Sequence, residues 1–124
     1  MRRTTWQELS DEGGSYAAHD DYVAACDVYV VAADAALEAG NASMAWILRV
    51  VARRMHVIAW ARQKIDPGIT ADDVSPDQPR RGESWDTTMK REVTTFYVRE
   101  PFTGDRIVVR VDRRGRVRRV RRIP

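Results

Sequence analysis

The densest chemistry in this sequence is cationic and lies at its end. Arg113, Arg114, Arg116, Arg118, Arg119, Arg121 and Arg122 place seven guanidinium groups within ten positions, Arg110 lies just upstream, and no acid follows Asp112. Guanidinium forks match phosphate and carboxylate oxygens in bidentate geometry. On an extended strand, such density brings several of them within reach of successive phosphates, and each neutralised phosphate releases counterions. Tyr97 and Phe102 would add stacking surface for unpaired bases. Three readings stay open. The eight arginines bind nucleic acid, DNA or RNA; or they dock an acidic protein surface, such as the acidic helix of another subunit; or they are a charged edge strand that blocks edge-to-edge aggregation. Of 21 basic residues only Lys64 and Lys90 are lysine. With the many Ala, Val and Asp, that skew looks like GC-rich coding, which weakens any case that each arginine was chosen for its chemistry.

The other reactive residues have plainer explanations. A helical hairpin would bring Cys26 beside position 55, so His56 falls within reach of the thiol, and a thiol with an imidazole neighbour can act as nucleophile and base. Cys26 nevertheless sits among core positions and His56 lies off that face, so an inert cysteine and a partly exposed histidine are expected. His19 stands two helical turns from Cys26, too far for contact. Asp20, Asp27 and Asp34 recur every seven residues, about 10.5 Å apart on a helix, too far to share an ion. Asp72, Asp73 and Asp77 are an equally weak cation site. No phosphate-cradling glycine loop, zinc-ligand spacing or nucleophile elbow occurs. No catalytic residue, metal or cofactor is assigned, and the expectation is a protein that is not an enzyme.

Charge is divided along the chain. Residues 1–48 hold two arginines and eight acids, a balance of −6, whereas residues 49–124 hold nineteen basic residues and ten acids, a balance of +9. Cys26 is the sole cysteine, which excludes an internal disulfide and fits a reducing compartment. The residues after Met1-Arg2-Arg3 are polar and acidic where a secretory segment would be apolar, and Arg49, Arg53 and Arg54 interrupt the most apolar stretch, 44–61. A soluble, cytoplasmic protein without membrane contact is expected.

The elements that must position these residues can be read from periodicity. Residues 1–14 read as a weakly ordered leader closing at Gly13-Gly14, with 15–124 as one α+β domain. A first helix starts at Ser15 or Asp20 as N-cap and stops at Gly40; Asn41 caps a second, running from Ala42 to Ile65. The two-residue link makes them an antiparallel hairpin over 15–65. That pairing puts Asp27 near Arg54, and Asp20 or Asp21 near Arg62. The second helix is apolar on two sides, so it needs two covers. The first helix supplies one. Trp46, Val57 and Trp60 on the other side meet either the sheet or a partner, which makes them candidate interface residues and a homodimer an open expectation.

Residues 66–91 read as a long connector in which Asp72 and Asp73 cap a short turn and Trp85 anchors the far end. A three-stranded antiparallel meander over 92–124 is expected to pack on the second helix, its strands being Glu92–Arg99, Arg106–Asp112 and Arg116–Ile123. Val117, Val120 and Ile123 recur every three residues, which calls for a bulge or for departure from the sheet.

This order of elements resembles that of the RelE-type ribonuclease toxins, and Arg106-Ile-Val-Val-Arg-Val-Asp-Arg-Arg-Gly-Arg-Val is similar in style to their paired C-terminal strands. The resemblance covers about half the chain and lacks the strand those toxins place before their helices. It implies an RNA-cleaving alternative. The leading expectation is a small binding or regulatory protein that uses its basic strand on nucleic acid. A second is an accessory factor of the phage or mobile-element kind that binds and modulates a host protein.

Overall fold

The computed structural model describes residues 5–77, 81–82, 93–112 and 114–123. Among them are three helices, α1 (Trp6–Ala18), α2 (Tyr22–Glu38) and α3 (Ala42–Lys64). Four strands come after the helices, β1 (Val74–Pro76), β2 (Val93–Arg99), β3 (Arg106–Asp112) and β4 (Val117–Ile123), forming one antiparallel sheet in that spatial order. The fold is α+β, with a helical hairpin followed by a meander that packs on its second helix.

The expected leader is instead mostly helix. Thr5 caps α1, its hydroxyl accepting from the Glu8 amide at 3.2 Å. Gly13 and Gly14 lie inside α1, although a glycine within a helix costs about 1 kcal/mol relative to alanine. Tertiary packing overrides that preference. A Cβ on Gly13 would stand 2.9 to 3.0 Å from three atoms of the Tyr29 ring, so only glycine lets α1 close on α2 at this point. The boundary between 14 and 15 is therefore corrected: one helix runs through it.

Ser15 belongs to α1, and the cap of α2 is Asp21, accepting from the Ala24 amide at 3.2 Å. Its neighbour Asp20, the expected cap, takes a left-handed φ of 59° and turns the chain. There the Asp21 amide reaches the Tyr16 carbonyl and the Asp20 amide that of Ala17. The same double closure ends α2 at Gly40, where the Asn41 amide bonds the Ala36 carbonyl and the Gly40 amide that of Leu37. Asn41 then caps α3 as expected, accepting from the Met44 amide.

Small side chains set the distance between α2 and α3. Ala25, Ala32, Ala33 and Ala36 face Ala45, Ala52 and Ala61, all essentially without exposure. The opposite side of α3 is covered by the sheet. Val57 is 0% exposed in one core with Ile58, Phe96, Val98 and Val109, and Trp60 packs against that core. The assignment of Val57 to a partner interface is thereby corrected, because the chain's own core covers it completely, whereas Trp60 is half-buried. Trp46 is half-buried and carries the Arg49 guanidinium 4.8 Å from its ring centroid. Of the exposed large apolar residues on the helices, Val23, Val30, Val31 and Leu37 lie on α2, Tyr16 on α1 and Ile47 on α3.

Arginines of α3 organise the segment that leads from this helix into the sheet. Arg54 donates to the carbonyls of Ala71 and Val74, and Arg62 donates to that of Ile69 at 2.8 Å. These two were expected to face Asp27 and Asp20 or Asp21. They turn instead to backbone carbonyls packed beside the helix, and Arg62 also lies over the Tyr22 ring. Pinned in this way, residues 69–76 are ordered. Thr70 and Asp73 cap a single 3-10 turn reciprocally, and β1 pairs with β2 through Val74↔Val98, Ser75↔Tyr97 and Pro76↔Phe96. The sheet thus has four strands, where three were expected. Trp85, Glu92 and Arg113 lie outside the described residues.

Candidate nucleic-acid interface

Strand alternation sorts the residues of the meander between two faces. Ile107, Val109 and Val111 of β3 are buried on the helical side with Phe96 and Val98 of β2. Arg106, Val108 and Arg110 therefore point to the other side, together with Thr95 and Tyr97. Residues paired across an antiparallel ladder share a face, so the register lays rows over this outer surface. One row is Tyr97–Val108–Arg121, the next Thr95–Arg110–Arg119, and a third Arg99–Arg106–Ile123.

A bulge decides which arginines of β4 join the rows. Val111 pairs with Val117 and Arg110 with Arg119, so Arg118 is an extra residue on β4. Val117 and Val120, three apart, consequently share the inner face. This is the bulge that the three-residue spacing called for. Past it, Arg119 and Arg121 both point outward.

Five arginines of the cluster divide into two populations. Arg118 donates to Asp112 at 2.8 Å, and Arg122 binds Glu100 and Asp105, the latter at 3.0 Å. Asp112 also accepts from the amides of Arg114 and Arg116 at 2.9 and 3.0 Å, closing the β3–β4 turn. The Arg116 amide and the Arg118 guanidinium hold the Asp112 carboxyl below its ordinary value. Arg122 and Thr103 do the same for Glu100, and Glu100 and Asp105 raise Arg122 further. Arg118 and Arg122 thus serve the fold.

Arg110, Arg119 and Arg121 form the other population. All three are exposed, and among the described residues none accepts a hydrogen bond from them. With Arg106 they rim an open trough of about 730 Å³ whose floor includes Thr95, Tyr97 and Val108. Arg106 escaped the sequence reading because it lies outside the dense run. Its even spacing from Arg110 along a strand was the available signal. Its guanidinium stands 5.5 Å from the centroid of the Tyr97 ring, a cation–π distance. The Tyr97 hydroxyl donates to Asp77 at 3.3 Å, which fixes the ring. Phe102, in the β2–β3 turn, is 83% exposed.

The remaining candidates lie elsewhere. Arg116 is exposed beside the β3–β4 turn, while Arg114 faces a groove of about 440 Å³ between α2 and α3 with Cys26, Asp27 and His56. The structure thus places Cys26 and His56 in one groove. Burial, aided by Asp27, pushes the Cys26 thiol up, away from the thiolate that nucleophilic attack requires. Among the described residues no three His, Cys, Asp or Glu side chains form a group that could hold a metal. No described helix is long and apolar enough to cross a membrane. Comparison of the chain with protein-family models, curated proteins and solved structures finds no match.

Proposed function

We propose that this chain is a non-enzymatic nucleic-acid-binding protein whose contact surface is the outer face of the sheet. The observation that carries this reading is the position of Arg106, Arg110, Arg119 and Arg121. They stand together on the sheet face opposite the described helices, around an aromatic ring, while acidic partners within the fold take Arg118 and Arg122. Phosphates are the complementary ligand for such a set. The single cysteine supports placement in the cytoplasm.

The test is a fluorescence anisotropy titration with labelled duplex DNA, single-stranded DNA and RNA at several salt concentrations. The comparison variant carries Arg110→Glu, Arg119→Glu and Arg121→Glu and spares the arginines that the fold uses. Binding should survive near-physiological salt and disappear in the variant, whose urea midpoint stays close to that of the parent. Four phosphate contacts on a single strand give a slope of about −3 for log affinity against log salt. Equal binding by both proteins would overturn the reading. Failure of every probe to bind would favour instead an acidic protein partner for the same arginines.

A further inference from the structure

The same face has a geometry that discriminates between kinds of nucleic acid. Resting on the reading above, we infer that its ligand is an unpaired strand whose phosphates follow β4 and whose bases lie across β3 onto Tyr97. Four strands spaced about 4.8 Å apart, with their side chains, form a surface too wide to enter a major groove about 12 Å across. A duplex resting on the rim would touch its arginines and leave the floor of Thr95, Tyr97 and Val108 uncovered.

An unpaired strand uses both rim and floor. Arg119 and Arg121 are alternate residues of β4, about 6.7 Å apart along the strand, a spacing commensurate with successive phosphates of an extended chain. Each row then offers one nucleotide a different chemistry at each end. In the row Tyr97–Val108–Arg121 the guanidinium meets the phosphate and the small apolar Val108 lies beneath the sugar. The Tyr97 ring, two strands or about 10 Å from β4, meets the base. In the neighbouring row Arg119 and Arg110 take the next phosphate, and Thr95 supplies a hydroxyl at base level. Arg106, already packed on Tyr97, extends the stack as a flat cation. The acid at the β1 margin, Asp77, stands on the base side, away from the phosphate track along β4. Stacking on a π-face tolerates any base, so the site reads single-strandedness, not sequence.

The experiment uses the whole chain with fluorescein-labelled twelve-nucleotide oligothymidylate, oligouridylate and a twelve-base-pair duplex at equal salt. A parallel titration uses an oligonucleotide carrying 2-aminopurine. Single strands should bind at least tenfold more tightly than the duplex, and 2-aminopurine emission should change on binding. Tyr97→Leu should weaken single-strand binding about tenfold and leave the salt slope unchanged. Tyr97→Phe, which keeps the ring and removes the bond to Asp77, should bind like the parent. Arg119→Ala and Arg121→Ala should each reduce the slope by about 0.7. Comparing oligothymidylate with oligouridylate separates DNA from RNA as the source of the strand.

Equal affinity for duplex and single strand, or a Tyr97→Leu protein that folds and binds like the parent, overturns this inference while binding to nucleic acid stands. A Tyr97→Phe protein as weak as Tyr97→Leu makes the hydroxyl, not the ring, the determinant, and overturns it too. Failure of every probe to bind at low salt overturns the broader reading as well.

Discussion

The two faces of the sheet use the same residue type in opposite ways. On the helical side Arg53 donates to Thr94 at 2.8 Å and Arg54 and Arg62 donate to carbonyls of residues 69–74. On the outer side Arg110, Arg119 and Arg121 have no acceptor among the described residues. The difference lies in what surrounds them. Carbonyls in a packed layer have acceptor capacity that water cannot reach, and a long flexible arginine on the adjacent helix can supply the donor. No described residue packs over Arg110, Arg119 or Arg121 on the outer face, so their guanidinium groups keep their capacity for an external ligand. Arginine content alone therefore says little about binding.

The sharpest way to break this comparison is to remove a staple. Arg54→Leu deprives the Ala71 and Val74 carbonyls of their guanidinium donor, and the urea midpoint should fall by the equivalent of about 2–3 kcal/mol. An unchanged midpoint would mean that the helical-side arginines are no more structural than the outer ones.

Packing gives the next largest effect. Gly13→Ala forces a Cβ into the Tyr29 ring and should destabilise by about 1–3 kcal/mol. Gly14→Ala meets only the Tyr29 hydroxyl oxygen, at 3.5 Å, and should stabilise by up to about 1 kcal/mol through helix propensity. Thermal unfolding of the pair reads both signs, and the same sign for both would refute the packing account of α1.

Acid should loosen the fold before it affects Arg110, Arg119 and Arg121. Burial works against the charge of Asp73, but the Thr70 amide and the Arg99 guanidinium outweigh it and hold its carboxyl below the ordinary value. Asp112 and Glu100 are lowered as well. Carboxylates depressed in the folded state contribute stability that is present above their unfolded values, about 4, and lost as pH falls through the folded ones. The urea midpoint should therefore drop between about pH 5 and pH 2. Asp73→Asn should be less stable at neutral pH and lose less on acidification. A parallel loss in both proteins would remove Asp73 from the account.

The smallest effect belongs to the outer face. Arg119→Ala with Arg121→Ala should change stability by no more than about 0.5 kcal/mol while weakening polynucleotide binding. A large loss of stability would show that these residues, too, serve the fold.

Much of the architecture was legible because local rules and tertiary demands agreed. Asn41, Gly40, the alanine-rich hairpin and the alternation of Ile107, Val109 and Val111 each specify one structure. Reading failed where they disagreed. Gly13-Gly14 looks like a break until Tyr29 is placed against it. Val74–Pro76 is too short and too rich in breakers to read as a strand, and it becomes one only because Arg54 holds its carbonyl and β2 offers an edge.

The sequence by itself determined a helical hairpin, a basic meander and the irregular spacing that required a bulge, because capping, alternation and charge are written in near neighbours. The tertiary structure alone decided which arginines are spent on the fold and which remain outward. That choice depends on register, on the position of Arg118 in the bulge, and on acids such as Glu100 and Asp112 brought close by strand pairing. Distances of this kind are set by the fold as a whole, and no spacing along the chain encodes them.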